Sequence, residues 1–173
     1  MIRAPKILIE LRSSSVHGVG VFAVPAIKKH TKLADGTTEE DYRDFLTWEQ
    51  LESFDMDVRK KVMDFCVGRP NGFIPPTDFD FNKLSVEWYV NHSCDGNCGF
   101  NDDGEFIAIK RIESGEELTF DYGLVESNPK FEMTCRCGST KCRKKITGND
   151  WLDKGFRAKN LKYMLPRLRV LPL

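Results

Sequence analysis

The chain has 173 residues, 40 % of them hydrophobic and 30 % charged, and its 26 basic and 26 acidic side chains leave no net charge. That size and balance describe one ordinary globular domain and exclude collagen-like, mucin-like and wholly disordered chains. A protein that coats nucleic acid would be clearly basic, so no direct nucleic-acid role is expected.

Ile7 to Leu11 predicts a short strand, which Ser13-Ser14-Ser15 breaks. Gly18 and Gly20 then make a turn that feeds a buried strand, Val21-Phe22-Ala23-Val24, ended by Pro25. Thr38 to Val67 is expected to be helical: Thr47 with Gln50 is a capping-box pair, Asp57 can cap a second helix, and Val58, Val62 and Phe65 repeat at helical spacing until Gly68. The Pro, Gly and Asn content marks Asn71 to Asp80 as a loop. Short strands follow at Ser85–Val90, Phe106–Ile109 and Leu118–Tyr122, with Asp102-Asp103-Gly104 as a hairpin-type turn. Helices are expected near Asn149–Lys154 and Ala158–Leu165, the second stopped by Pro166, and Arg167–Leu173 reads as a loosely held tail.

The zero net charge hides an asymmetry. Nine acids face one base between Asp35 and Asp57, and nine face two between Asp95 and Glu126, whereas ten bases face two acids from Lys141 onward. Such runs are solvated faces or, where they line a cleft, attract a partner of opposite charge, here a basic peptide. No segment has the ~18 apolar residues of a membrane span, and Glu10 cuts Ile7-Leu8-Ile9 short of a signal-peptide core, so no membrane association is expected. The six cysteines therefore read as metal ligands or buried thiols of an intracellular protein, cytoplasmic or nuclear, before they read as disulfides.

Three clusters could carry chemistry. Cys135, Cys137 and Cys142 lie within eight residues around Gly138, a spacing that fits three corners of a tetrahedral zinc site or three free thiols. Cys94 and Cys98 are both available as a fourth ligand. Polar residues crowd into Asn91-His92-Ser93-Cys94-Asp95-Gly96-Asn97-Cys98, which reads equally as an Asx-type turn, with His92 a satisfied structural histidine or a catalytic base. Gly115 to Gly123, with Phe120-Asp121-Tyr122-Gly123, is on its own an ordinary core strand.

Taken in order, these clusters resemble the SET-domain protein lysine methyltransferases, from roughly Leu11 to Trp151. His17-Gly18-Val19-Gly20-Val21-Phe22-Ala23 is similar to the first glycine motif, Asn91-His92-Ser93-Cys94 to the cofactor motif, Glu116–Gly123 to the catalytic strand, and Cys135–Cys142 to the post-SET cysteine cluster. The resemblance implies a mainly β (α+β) fold of small, mostly antiparallel sheets with short helices and a C-terminal pseudoknot, which would bring Asn91 and Tyr122 to one site. It divides the chain into a SET domain over 1–128 with a helical insert at about 35–75, a post-SET zinc cluster at 129–151, and a C-terminal helix and tail at 152–173. S-adenosylmethionine would be held by His17, Gly18, Val19, Gly20, Asn91, His92 and Tyr122. One structural zinc ion would be held by Cys94, Cys135, Cys137 and Cys142. The chain departs from the family pattern at Gly96, where a proline is usual, at Trp88, where an arginine is, and at Thr31–Gly36, which lacks a second active-site tyrosine.

The implied reaction is methyl transfer to the ε-amine of a lysine in a basic protein segment, such as a histone tail. Lysine has an ordinary pKa of ~10.4, and the nucleophile must be the neutral amine, which a narrow apolar channel favours. Positioning then supplies the main catalytic effect. Tyr122 would orient the amine, and Phe120 would leave room for di- and trimethylation. The alternative is a zinc-stabilised SET module that binds a peptide without transferring methyl.

Overall fold

The computed structural model describes residues 7–35, 45–76 and 79–172. The first two strands, β1 (Ile9–Ser13) and β2 (Val19–Ala23), pair antiparallel across a tight turn closed by Ser14 N–H to Gly18 O at 2.9 Å. Ser13 thus ends the strand rather than breaking it early. The remaining strands of the main sheet are β3 (Lys32–Ala34), β7 (Asn91–His92), β8 (Cys98–Phe100), β9 (Phe106–Ala108) and β10 (Glu117–Phe120). Their order is β1-β2-β10-β8-β9-β3, with β7 also on β10.

The sheet is organised around β10. Its first half pairs antiparallel with β2, Leu118 opposite Val21, and its second half runs parallel to β7 and β8, Thr119 opposite Asn91 and Phe120 opposite both His92 and Cys98. Val21 and Leu118 are fully buried and drive this pairing by removing apolar area from water. The segment between β7 and β8 wraps the same strand: Ser93 N–H bonds Phe120 O, and the buried Asn97 amide bonds Thr119 N–H, Glu117 O and Glu116. Gly96 has a specific reason here, because a Cβ on it would lie 2.6 Å from the Phe120 Cα. A backbone-to-backbone approach that close admits no side chain. The sheet is mostly antiparallel, as expected, with the parallel pairs confined to β10. Laying β10 between β2 and β7 is the interleaving that the resemblance implies.

The insert carries a second, smaller core of Leu46, Leu51, Val62, Cys66 and Phe73. The first part of the expected helical stretch, 38–44, lies outside the described residues. The rest is β4 (Leu46–Thr47), α1 (Trp48–Glu52) and α2 (Met56–Phe65). The Thr47–Gln50 capping box is present. Asp55, not Asp57, stands at the start of α2, and the helix ends at Phe65, two residues before β5 (Val67–Arg69). The expected loop after it instead contains β6 (Gly72–Ile74), whose Phe73 and Ile74 are buried. Pro70-Asn71 is the two-residue turn of a β5–β6 hairpin, so the turn residues there mark a tight connection and not a long loop.

Two other expectations are corrected. Val86–Tyr89 is a 3-10 turn and not a strand; its four residues are all half-buried, because the chain must change direction between the insert and β7. At the C-terminus, β11 (Glu132–Thr134) pairs with β12 (Lys145–Thr147), and only a 3-10 turn forms at Asp150–Leu152. Helix α3 (Lys154–Asn160) starts earlier than expected because Asp153 caps it, and Pro166 begins α4 (Pro166–Arg169) instead of stopping a helix. The tail is not loose: Leu168 is fully buried, and Arg169 donates to the Phe100 and Asn101 carbonyls. Among the described residues no helix is long and apolar enough to cross a membrane.

Candidate active site and metal centre

At the N-terminal side of the site, His17, Gly18 and Val19 form an exposed turn and Gly20 is buried beneath it. Gly18 takes a left-handed φ of +49°, and space above it is open, since a Cβ there would meet nothing within 4 Å. A backbone cradle of this kind suits close approach of a ligand. The turn is held from below. The buried Asn91 donates its amide N–H groups to His17 O and Val19 O, both at 3.1 Å, and to Glu117 Oε1 at 2.9 Å. The Glu117 carboxylate also accepts the Ser14 hydroxyl at 2.8 Å, and that hydroxyl receives the Val16 and His17 N–H groups. The Asn91 amide is therefore spent on the protein, gripping the turn.

Glu117 and Ser14 were not singled out from the sequence. Glu117 lies within the catalytic-strand motif and Ser14 just before the glycine motif, but the two, 103 residues apart, meet only because β10 pairs with β2. Gly20 is explained by the same contact: a Cβ on it would lie 2.3 Å from Glu117 Oε1, an atom already tied to Asn91 and Ser14. Gly20→Ala should weaken cofactor binding by about tenfold or more, the cost of one displaced charge-assisted hydrogen bond. Calorimetric titration with S-adenosylmethionine checks it; unchanged affinity would dissociate the turn from the cofactor.

On the other side of β10, Tyr122 packs against His92 and Phe120, with ring centroids 5.1 and 5.0 Å apart. Its hydroxyl donates to Val90 O at 3.3 Å, and burial pushes the phenol up to about 12. Phe120 stacks edge-on with Phe106 at 5.5 Å. The Phe106, Phe120 and Tyr122 rings line a cavity of 410 Å³ that reaches the insert, and Phe65 and Trp88 line it too. Four carboxylates stand around it, Asp35, Asp64, Glu87 and Glu126, and the described lining residues include no Lys, Arg or His. Asp35 and Asp64 carry Lys32 and Lys60 as partners. Glu126 is buried, which raises its pKa, and it accepts the Gly68 and Asn128 N–H groups. Its place on the cavity wall was not legible from the acidic run that contains it.

The sulfurs of Cys94, Cys135, Cys137 and Cys142 all lie within 4.8 Å of one another. Cys94 and Cys135 Sγ are 3.8 Å apart, the edge of a tetrahedron with metal–sulfur arms of ~2.3 Å. Four thiols at that spacing fit a closed structural zinc site. Cys98 stands apart, fully buried, with its thiol turned to Asn97 Oδ1. Cys66 is buried in the insert core, where desolvation pushes its thiol up to about 12. Arg143, next to the cluster, reaches Asp121 through Nη1 and Nη2 at 2.5 and 2.7 Å and Asp150 at 2.9 Å. Those pairs pin the cluster to the end of β10.

Residues 18–123, more than half of the chain, match the SET domain, and the chain belongs to that family. It is 35 % identical over 144 residues to the human histone-lysine N-methyltransferase 2B, covering 76 % of this chain and 5 % of that protein. It is 40 % identical over 81 residues to the histone-lysine N-methyltransferase ash1 of Drosophila melanogaster, covering 43 % and 4 %. Over 68 residues it is 40 % identical to the histone-lysine N-methyltransferase ASHR3 of Arabidopsis thaliana, covering 35 % and 13 %. The chain spans 13 % or less of the length of these relatives.

Proposed function

We propose that this chain is a protein-lysine N-methyltransferase that uses S-adenosylmethionine and acts on a basic protein segment, a histone tail being the favoured class. The observation that carries the reading is the position of β10: one face meets the glycine turn and the other opens, through Phe120 and Tyr122, on an aromatic cavity edged with carboxylates. When bound, S-adenosylmethionine supplies an electrophilic methyl group on a sulfonium. The His17–Gly20 turn, Asn91, His92 and Tyr122 form its site, and the cysteine cluster closes the C-terminal side. Residues 1–128 act as the SET domain, 129–151 as the zinc-bearing post-SET unit, and 152–173 as a brace on both.

Glu87 attracts a cationic peptide, and the apolar walls of Phe100, Phe106 and Phe120 favour the neutral amine deeper in. Tyr122 remains a neutral hydrogen-bonding group over the whole working range, since its pKa lies at about 12. The initial rate should therefore rise with pH as the substrate amine, of ordinary pKa ~10.4, loses its proton. Ionisation of Tyr122 should not reverse that rise below about 12. A rate that falls between neutrality and the amine pKa, with the protein still folded, would show that another group carries the reaction.

Phe120 sets the product. Each added methyl group needs space and removes one N–H donor. Phe120→Tyr adds a hydroxyl among the Phe100, Phe106 and Tyr122 rings, where it can bond the amine or a water. Wild type should reach di- and trimethyl-lysine, and the variant should stall at monomethyl-lysine with the first transfer largely intact. Mass spectrometry decides, identical methylation ladders being the adverse result. The proposed activity itself is tested by transfer of labelled methyl groups to core histones and to a proteome extract. Label on lysine in a basic protein is the expected result. Cofactor binding without label in either pool would favour a peptide-binding module.

A further inference from the structure

We propose that His92 is a positioning residue that ties the Cys94 sulfur to the backbone of Tyr122, an inference that rests on the zinc and methyltransferase assignments above. The imidazole is 3 % exposed, so water does not satisfy its nitrogens. Tyr122 N–H donates to Nδ1 at 3.1 Å. A ring nitrogen that accepts a hydrogen bond carries no proton, so the proton of the ring sits on Nε2. Nε2 in turn lies 3.4 Å from Cys94 Sγ, which makes the sulfur its acceptor. Cys94 Sγ also receives the Arg143 backbone N–H at 3.3 Å. Two N–H donors on one sulfur fix its position, and groups of this kind support metal ligands.

One ring thus has a nitrogen committed to each side, the cluster on Nε2 and the site on Nδ1. Its edge-on contact with the Tyr122 ring fixes the plane. Arg143 forms a second, parallel tie, from Cys94 Sγ through its N–H and from its guanidinium to Asp121. Residues 121 and 122 are held from the same sulfur, the first by a side chain and the second by its peptide nitrogen. The side chain of His92 therefore serves the cluster and Tyr122, whereas contact with a cofactor would have to come from its backbone.

Two half-isosteres separate the functions. His92→Asn keeps a polar group near Nδ1 and stops short of Cys94; His92→Gln reaches toward Cys94 and loses the acceptor for Tyr122. His92→Asn should release zinc to a competing chelator about tenfold faster than wild type, with a smaller loss of turnover than His92→Gln. His92→Gln should hold zinc within about threefold and lose turnover about tenfold, with the KM for cofactor unchanged. Equal zinc release from the two variants, or wild-type turnover in His92→Gln, would overturn the tie. Long-range proton–nitrogen NMR correlation on the wild-type protein needs no variant to fold: a proton on Nε2 alone is expected, and a proton on Nδ1 would refute the tie. Wild type without zinc or without methyl transfer would instead refute the assignments beneath it, while the NMR measurement still decides the hydrogen bonding of His92.

Discussion

Tyr122→Phe should lower turnover by roughly 10²–10³-fold, the usual cost of removing one oriented hydrogen-bond donor at a reacting centre. Cofactor affinity should stay within a few-fold of wild type. The ring contributes its packing against His92 and Phe120, which phenylalanine keeps. Only the hydroxyl is lost, and its bond to Val90 O, 3.3 Å long, is weak enough that the fold should not depend on it. Single-turnover kinetics with a lysine peptide, beside calorimetric titration of the cofactor, separates the two effects. A variant that turns over like wild type would remove Tyr122 from the chemistry. One that loses cofactor binding in proportion to turnover would make it a binding residue.

Cys94→Ser should reduce bound zinc from one ion per chain to a small fraction and abolish most turnover. A serine hydroxyl is a poor substitute for a thiolate in a closed site of four sulfurs. The structural consequence is large because the region has little regular structure of its own. The β11–β12 sheet has two strands with three paired positions, and a two-stranded ribbon is marginal alone in water. Metal binding is folding free energy for such a unit. Cys94 also joins the cluster to the rest of the site, through His92 and the Arg143 N–H. Cys98→Ser is the control. Its thiol donates to Asn97, a bond that a hydroxyl can replace, so zinc content should not change. Metal analysis of purified wild type, Cys94→Ser and Cys98→Ser gives the answer, and equal zinc in all three would refute the ligand set.

Features that depend on a few consecutive residues were legible in the sequence. The Thr47–Gln50 capping box, the glycine turn, the strand ended by Pro25 and the close spacing of Cys135, Cys137 and Cys142 are set by local covalent geometry, and all are present. Local pattern failed where long-range packing outvoted it. Ser85–Val90 has strand-like residues, yet Val86–Tyr89 forms a 3-10 turn that packs against β1 and β2 without joining their ladder. Pro166 suits the end of one helix or the start of another, and burial of Leu168 chose the start.

The site shows the same division. By itself the sequence determined which segments hold the candidate motifs, because motif residues lie next to one another along the chain. Spacing alone left Cys94 and Cys98 open as the fourth ligand, although the family resemblance pointed to Cys94, and it offered no partner within the protein for the Asn91 or His92 side chains. Tertiary structure decided these points through one strand. Pairing of β10 with β2 puts Glu117 under the glycine turn, and its parallel pairing with β7 sets His92 between Tyr122 and Cys94. On β8, also against β10, Cys98 is buried beside Asn97 and away from the other sulfurs. Contacts between residues 30 to 103 positions apart depend on which apolar faces the whole chain buries together, and no local spacing encodes that.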